Sequence, residues 1–445
     1  MAAGLNWRLH AGQCGVYSWN YQPTMIIKLL TRLLAVSLLT LTSAASASAA
    51  ELAWTFGAVA GSGRVNPDTL FSEPAGYGFE SADGITAGAT EGVDYCTSDK
   101  EFWFSAVVPE GNYDVAVTLV GVEGSKVTIK AETRRLMIES ISPPVGKTQT
   151  VHFTVNVRRP EIAGGERVHL NARELITHTW DDKLTLQFSG KHACVSEIKI
   201  EPVTDAVTVY VAGDSTVTDQ SGPPYSSWGQ MLPRFLKPGV AVANYAESGL
   251  ALKSFIAQNR LAKIQSLIKS GDYLFVQFGH NDQKDKSADG GAYKSYTVLL
   301  KKMVAAARDA GATPVLVTPV SRRSFKGDKI VSNLGDFPQA VRDVAKSEGV
   351  PLIDLNAQSI LFYEALGPQE SGKAFALTDH THHNDYGSYE LAKCIVNGII
   401  ADKLGLAKFV VDDWKTFDPA NPDPVDQFDL PPDPAPGPTA KPEGN

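Results

Sequence analysis

The chain of 445 residues has little cysteine, little charge and few long apolar segments. Its four cysteines are too few for a disulfide scaffold, and no CxxC or Cys/His spacing typical of a zinc site occurs. Charged residues make up 20% of the chain and leave a net charge of −8, which argues against a nucleic-acid surface. Because 43% of the residues are hydrophobic, the composition also excludes a disordered or collagen-like protein.

One apolar run, residues 25–45, is the exception. It begins with Lys28 and Arg32 and is followed by the small residues 47–49, which is the pattern of a secretory signal peptide. We interpret residues 25–49 as a signal peptide cleaved near Ala49. The alternative is an N-terminal anchor that the mature protein keeps.

Residues 1–24 carry no fold signature, and Met25 has the features of a true start, so we interpret 1–24 as a non-native upstream extension. Removing residues 1–49 deletes Arg8, Lys28 and Arg32 but no acidic residue, which changes the net charge to −11. The sequence therefore predicts an acidic, soluble, exported protein, secreted or periplasmic, with no membrane contact after cleavage.

The four cysteines have different predicted roles. Cys14 precedes the predicted cleavage site, and Cys394 lies on an apolar helical stripe, where a buried, inert thiol is expected. Cys96 and Cys194 fall in one region, and export permits a disulfide between them, but the sequence leaves that pairing open.

Residues 50–204 have the pattern of a β-sandwich or jelly roll. Short segments with alternating apolar residues recur, and turn signals such as Pro109-Glu110-Gly111-Asn112 separate them. The aromatic residues of this domain could stack on sugars, although core packing is their more common role. The predicted strands are 102–107, 113–119, 126–129, 151–157, 184–188 and 198–200.

Residues 205–412 have a different pattern, in which apolar strand-like runs alternate with helical stripes. This alternation predicts a parallel sheet with helices on both faces, whose functional residues follow the carboxyl ends of the strands. Residues 413–445 are rich in proline and aspartate and predict an extended, disordered tail. The predicted strands are 207–212, 240–245, 273–278, 314–320 and 351–355, and the clearest helical stripe spans 296–307.

Three of these predicted strands are followed by residues suited to catalysis. Ser215 follows the first strand and could act as a nucleophile, although an N-cap serine is an equally good interpretation. Gly249 follows the second and would let a backbone N–H approach a ligand, or would only form a tight turn. Asn281 follows the third and could donate its amide to a developing negative charge, or simply belong to a turn.

Asp379 and His382 lie three residues apart in a loop that leads into a helix. Asp379 could fix the tautomer of His382, whose other ring nitrogen could then remove a serine proton. His380 and His383 are close by, which raises the possibility of a metal site. Carboxylate or cysteine partners at ligand spacing are missing, so the sequence favours a site without metal.

In this order, the motifs resemble the SGNH (GDSL-like) hydrolases over residues 207–408. The first block is Gly213-Asp214-Ser215-Thr216, the second contains Gly249, the third is Gly279-His280-Asn281-Asp282, and the last is Asp379-x-x-His382. Residues 244–246, 254–256 and 318–323 are further similar to rhamnogalacturonan acetylesterases of carbohydrate esterase family twelve. The resemblance implies a flavodoxin-like, three-layer α/β/α fold, preceded by the N-terminal β-domain that some bacterial members carry.

The resemblance also implies roles for the residues that match. Ser215 would be the nucleophile, His382 the general base and acid, and Asp379 its orienting partner, with Asp214 in support. The oxyanion hole would consist of the Ser215 N–H, Gly249 and Asn281. Family members often have an arginine soon after the second-block glycine, where this chain has Leu250-Ala251-Leu252, which puts a substrate contact in doubt. No metal or organic cofactor is implied.

The implied activity is removal of O-acetyl groups from an acidic plant polysaccharide, foremost rhamnogalacturonan. Arg322 and Arg323 follow the fourth strand of the predicted parallel sheet and could bind uronate carboxylates, or form ordinary ion pairs. The alternatives are an acetylesterase acting on xylan or homogalacturonan and, from another class, a carbohydrate-binding protein with a vestigial esterase site. The sequence does not indicate the oligomeric state.

Overall fold

Two largely antiparallel sheets face each other in the first part of the protein, as seen in a computed structural model that describes residues 51–433. The signal-peptide prediction and Cys14 therefore lie outside the described residues. The strands are β1 (Leu52–Phe56), β2 (Arg64–Val65), β3 (Tyr77–Phe79), β4 (Thr86–Thr90), β5 (Val93–Thr97), β6 (Phe102–Val107), β7 (Gly111–Val120), β8 (Lys126–Ala131), β9 (Arg135–Ile141), β10 (Thr148–Val157), β11 (Lys183–Lys191) and β12 (Val195–Val203).

The two sheets form a sandwich because alternate residues of each strand face the space between them. One sheet has the order β10-β7-β12-β1-β2 with β4 and β5 attached, and the other has the order β3-β6-β11-β8-β9. In β7, Val115, Val117 and Leu119 are buried, while the residues between them are half-buried. Phe56 and Phe104 pack edge to face in the core, with ring centroids 5.2 Å apart. The predicted β-sandwich is confirmed.

A five-stranded parallel sheet forms the second part, with the order β14-β13-β15-β16-β19. The first strand along the chain lies inside the sheet, which is the flavodoxin-like arrangement. Its elements are β13 (Val207–Gly213), α1 (Trp228–Met231), β14 (Val240–Asn244), α2 (Leu252–Ala257), α3 (Arg260–Gln265), β15 (Tyr273–Gln277), α4 (Thr297–Asp309), β16 (Thr313–Val317), the hairpin β17 (Phe325–Lys326) and β18 (Lys329–Ile330), α5 (Phe337–Glu348), β19 (Leu352–Ile353), α6 (Leu355–Glu370) and α7 (Asp385–Ala401).

Helices cover both faces of this sheet, so its strands are apolar on both sides. Successive residues of β13 enter opposite cores: Val209 and Val211 join the core with α1, α6 and α7, whereas Tyr210 and Ala212 join the core with α2 to α5. The predicted helical stripe corresponds to α4. The predicted three-layer α/β/α fold is confirmed.

The segment from residue 413 to 433 is packed against the rest of the protein, which corrects the prediction of a disordered tail for this stretch. Phe417 is buried, and the Phe428 ring lies 5.4 Å from the Tyr389 ring of α7. The Asp433 carboxylate accepts hydrogen bonds from Lys130 and Arg134 of the sandwich at 2.6 Å. Its aromatic and acidic side chains thus attach this segment to both parts of the protein.

Cys96, Cys194 and Cys394 are all buried free thiols, so the possible Cys96–Cys194 disulfide is not formed in this structure. Burial raises the pKa of Cys96 to about 12 and that of Cys394 still further, which makes both thiols unreactive. Within residues 51–433, no helix combines the length and the apolar composition needed to cross a bilayer.

Candidate active site

Ser215 lies in the turn that follows β13. The Asp214 carboxylate shapes this turn by accepting hydrogen bonds from the Thr216 N–H at 3.0 Å and the Thr216 hydroxyl at 2.8 Å. A Cβ at Gly213 would lie 2.6 Å from a Val217 methyl group, so the tight exit from the strand requires glycine. Burial raises the pKa of Asp214, but His280 and Thr216 outweigh this effect, and the pKa lies below its usual value.

His382 joins Ser215 and Asp379 in one hydrogen-bonded chain. Its Nε2 lies 2.8 Å from the Ser215 Oγ, and its Nδ1 lies 2.9 Å from the Asp379 Oδ2. The other oxygen of Asp379 accepts the backbone N–H groups of Thr381 at 2.7 Å and His382 at 3.1 Å. Burial raises the pKa of Asp379, but the hydrogen bonds from the His382 ring and from the backbone N–H groups of Thr381 and His382 hold it well below its usual value.

Gly249 and Asn281 lie in the loops after β14 and β15, which are the two neighbours of β13 in the sheet. Gly249 has a φ of +81°, in the region that favours glycine, so its loop can turn back beside the serine. The Asn281 amide donates to the Leu250 carbonyl at 3.1 Å, which holds it beside the same loop. An asparagine amide has a second N–H, and this one can serve a ligand.

A second layer of residues supports this arrangement. His280 lies between Asp214, at 3.3 Å, and the Val320 carbonyl, at 3.0 Å. Gln220 donates to the Ser215 carbonyl at 2.6 Å, and the Tyr225 ring meets the His382 ring edge to face at 6.0 Å. His280 was visible in the third motif without an assigned role, whereas no sequence pattern marked Gln220 or Tyr225.

The sandwich also contacts these supporting residues. Arg134, in the turn between β8 and β9, donates to the carbonyls of Gln220 at 3.2 Å and Tyr225 at 2.8 Å. The same guanidinium approaches Asp385 at 3.2 Å and Asp433 at 2.6 Å. The loop that follows the serine is therefore held at two of its backbone carbonyls by a side chain from the other part of the protein. Sequence reasoning did not single out Arg134.

The two arginines predicted to contact substrate have different surroundings. Arg322 is half-buried, donates to the Thr381 hydroxyl at 3.2 Å, and is close enough to Asp214 and Asp379 to interact with their charges. Arg323 instead donates to the Pro368 carbonyl at 2.6 Å and the Ser371 hydroxyl at 2.9 Å. The structure thus places Arg322 beside the candidate site and uses Arg323 to hold the end of α6.

His380 and His383, the neighbours of His382 in the sequence, have different environments. His383 is buried against Phe375, with ring centroids 4.4 Å apart, and its Nε2 lies 2.6 Å from the Tyr363 hydroxyl. Burial lowers its pKa to about 3, so it stays neutral. His380 is exposed. In the part of the chain that the structure describes, no three His, Cys, Asp or Glu side chains are grouped to hold a metal ion.

Comparison with known proteins agrees with this geometry. Residues 211–388 match the GDSL-like Lipase/Acylhydrolase family. The chain is 38% identical over 216 residues to rhamnogalacturonan acetylesterase RhgT of Bacillus subtilis (strain 168), a match that covers 45% of this chain and 91% of RhgT. It is 35% identical over 210 residues to the probable rhamnogalacturonan acetylesterase YesY of the same strain, covering 44% of this chain and 94% of YesY. The chain belongs to the GDSL-like lipase/acylhydrolase family.

As a GDSL-like acylhydrolase, the protein is an ester hydrolase. A further relative, the uncharacterized esterase YxiM of Bacillus subtilis (strain 168), is 26% identical over 372 residues, which covers 78% of this chain and 91% of YxiM. A match of that length extends beyond the hydrolase part into the sandwich.

Proposed function

We propose that this protein is a serine esterase that removes O-acetyl groups from plant pectin, foremost rhamnogalacturonan. The observation that carries the proposal is the continuous hydrogen-bonded chain from Asp379 through His382 to the Ser215 hydroxyl. A serine hydroxyl becomes a good nucleophile when an oriented imidazole can take its proton. Each partner in this chain lies within hydrogen-bond distance of the next.

The proposed reaction has two steps. The Ser215 Oγ attacks the acetyl carbonyl while His382 takes the serine proton, and His382 then gives that proton to the departing sugar hydroxyl. Water, deprotonated by His382, next attacks the acetyl-serine and releases acetate with Ser215 restored. The N–H groups of Ser215 and Gly249 and the amide of Asn281 stabilise the oxyanion in both steps. The lowered pKa of Asp379 keeps it ionised beside the histidine. This chemistry requires no metal or organic cofactor.

A small acyl group fits the surroundings of the nucleophile better than a long one. Ser215 exposes only 2% of its surface, and His382 only 1%. A carbonyl that reaches the Ser215 Oγ must therefore enter a narrow space, which favours acetyl esters over the chains of a lipid substrate. This burial supports an acetylesterase within a family that also includes lipases.

The names of RhgT and YesY support rhamnogalacturonan as the substrate. Its galacturonate units are acidic, so the protein needs local cations to offset its own negative charge. Arg322 is the cation that we assign to this role, because it lies beside Asp214 and Asp379 and its planar guanidinium suits a carboxylate. We further propose that residues 25–49 direct the protein to the periplasm or the medium, where such polymers are found.

The proposal is tested by measuring acetate released from a panel of acetylated polymers. We expect wild-type protein to release acetate from acetylated rhamnogalacturonan faster than from acetylated homogalacturonan or xylan. We expect Ser215→Ala to fold normally and to lose at least ~10³-fold in turnover, as nucleophile deletions do. Full activity in the purified Ser215→Ala variant would overturn the serine mechanism. Faster release from xylan would overturn the substrate but not the mechanism.

A further inference from the structure

One segment of the sandwich reaches the hydrolase part close to Gly249. It is the short 3-10 helix Ala172–Ile176, which lies between β10 and β11. Glu174 anchors it: the buried carboxylate accepts two hydrogen bonds from Arg260 of α3, at 3.0 and 2.6 Å, and a third from the Trp180 indole at 2.8 Å. Arg260 also donates to the Tyr245 carbonyl at the end of β14. The segment is therefore fixed relative to the strand that leads to Gly249.

Arg173 extends from this anchored segment onto the loop that contains Gly249. Its Nε pairs with the buried carboxylate of Glu247, and its Nη2 donates to the Ser248 carbonyl at 2.7 Å. The Ser248 carbonyl and the Gly249 N–H belong to the same peptide group. Because a peptide group is planar and trans, holding its oxygen on one side fixes the direction of its N–H on the other.

We propose that Arg173 is a positioning residue that orients the Gly249 N–H toward the oxyanion. The proposal rests on the proposed function, in which this N–H is an oxyanion donor. Two physical effects act together. Glycine at a positive φ tolerates several orientations of its preceding peptide, so an outside partner is needed to select one. A charged donor on the carbonyl also polarises the peptide and makes its N–H a stronger donor.

The proposal assigns the sandwich a part in catalysis that is separate from binding polysaccharide. The side chain of Arg173 is 30% exposed, so the competing explanation is direct contact with substrate. The two roles differ in their kinetics. A misaligned oxyanion donor slows turnover of every acyl substrate, large or small, whereas a lost polysaccharide contact raises KM for the polymer alone.

The test compares Arg173→Met with the matched control Arg167→Met. Arg167 is also a sandwich arginine paired to a glutamate, Glu161 at 3.6 Å, but its side chain is 60% exposed and its partner lies outside the 247–249 loop. We measure kcat and KM on p-nitrophenyl acetate and acetylated pectin, the inhibition constant of a boronic acid that forms a tetrahedral serine adduct, and the thermal midpoint. A boronate adduct resembles the tetrahedral transition state, so its affinity reports the oxyanion donors.

For Arg173→Met we expect kcat to fall ~10- to 100-fold on both substrates, somewhat less than for complete loss of one donor. KM should stay within about 2-fold, and boronate affinity should fall in parallel with kcat. Arg167→Met should match wild type. Arg173→Lys, which keeps one cationic donor for the Ser248 carbonyl, should give an intermediate kcat. If Arg173→Met does not fold, the Arg173→Lys measurements decide.

A wild-type kcat in the folded Arg173→Met variant would overturn the proposal. If Arg173→Met does not fold, a wild-type kcat in Arg173→Lys would overturn it. A loss confined to KM for pectin would overturn it in favour of a substrate contact. Ser215→Ala, assayed in parallel, distinguishes a failure of the proposed function from a failure of the role of Arg173. An active Ser215→Ala overturns the proposed function, whereas an inactive Ser215→Ala beside a fully active Arg173→Met overturns only the role of Arg173.

Discussion

The sandwich and the hydrolase part organise their loops in opposite ways. The five strands of the hydrolase sheet are parallel, so their carboxyl ends share one edge, and Ser215, Gly249 and Asn281 follow three neighbouring strands. Strands of the sandwich are largely antiparallel, so successive strands end at opposite edges and no edge collects the loops. Even so, Arg134 and Arg173 of the sandwich contact the loops around Ser215.

The hydrolase part therefore contains the reactive groups, and the sandwich contributes side chains that support them. The parallel sheet brings reactive groups together through topology alone, whereas the sandwich provides side chains that hold backbone carbonyls of the hydrolase loops in place. Arg134 holds the loop after the nucleophile, and Arg173 holds the loop before the second predicted oxyanion donor. Substitutions in the hydrolase loops should therefore affect the chemical step itself, while substitutions at the contacts between the two parts should affect stability or alignment.

The largest expected effect is on His382. We expect His382→Ala to lower the kcat of the folded protein by at least ~10³-fold, because the ring is the only imidazole within hydrogen-bond distance of the Ser215 Oγ among the described residues. His383→Ala should instead destabilise the fold, because it removes a buried ring packed on Phe375. His380→Ala, at an exposed position, serves as the control.

These three variants are compared by kcat on p-nitrophenyl acetate and by thermal unfolding. Equal kcat losses in folded His382→Ala and His383→Ala would show that the base has been assigned to the wrong ring. A chelator such as EDTA should leave activity intact. Inhibition that zinc reverses would instead indicate a metal site among these histidines.

The catalytic residues of the hydrolase part could be predicted from the sequence, whereas the supporting contacts from the sandwich could not. The strands of the hydrolase sheet are buried on both faces and therefore form apolar runs, which locate Ser215, Gly249 and Asn281 directly after strands. Asp379 and His382 follow no such run, and the resemblance of the ordered motifs to SGNH hydrolases was needed to group them with Ser215. The contacts of Arg134, Arg173 and Asp433 could not be predicted. Their partners are distant in sequence. Local periodicity does not distinguish an arginine exposed to solvent from one whose side chain contacts the other part of the protein.

The proline-rich segment illustrates this limit. A run of proline and aspartate predicts extended backbone, and residues 413–433 form no strand and a single short 3-10 helix, Val425–Gln427, in the structure. Composition cannot tell whether an extended segment is free in solvent or docked, because docking depends on complementary groups elsewhere. Here those groups are Lys130 and Arg134 on the sandwich, which surround Asp433.

A smaller effect, on stability, is expected where this segment meets the sandwich. Burial raises the pKa of Asp433, but Arg134 and Lys130 outweigh it and lower the pKa to about 2. A folded-state pKa below the unfolded value means that the carboxylate stabilises the fold at neutral pH, by about 2 kcal/mol. This contribution is present above about pH 4 and is lost as the pH falls toward 2. Asp433→Asn should therefore lower the free energy of unfolding at pH 6 and have less effect near pH 2.

Urea unfolding at several pH values measures how much Asp433→Asn lowers the free energy of unfolding. The matched control is Asp83→Asn, because the Asp83 side chain is 76% exposed and pairs with the exposed Lys100. Exposed pairs contribute little, so Asp83→Asn should change the free energy of unfolding by less than about 0.5 kcal/mol. If Asp433→Asn behaves like this control at pH 6, the segment does not stabilise the junction between the two parts.

The smallest expected effect concerns Arg322, and it tests whether the hydrolase loops also select the substrate. Arg322→Ala should lower kcat/KM on acetylated pectin by ~10-fold and on p-nitrophenyl acetate by less, because only the polymer has carboxylates for the guanidinium to bind. Arg323→Ala is the matched control, since Arg323 donates to Pro368 and Ser371 and should affect both substrates equally. For wild type, raising the salt concentration should reduce the difference in kcat/KM between acetylated pectin and p-nitrophenyl acetate, because salt screens the attraction between the guanidinium and the carboxylates of the polymer. Equal losses on both substrates in Arg322→Ala would mean that Arg322 supports the Asp379 loop through Thr381 and does not bind the polysaccharide.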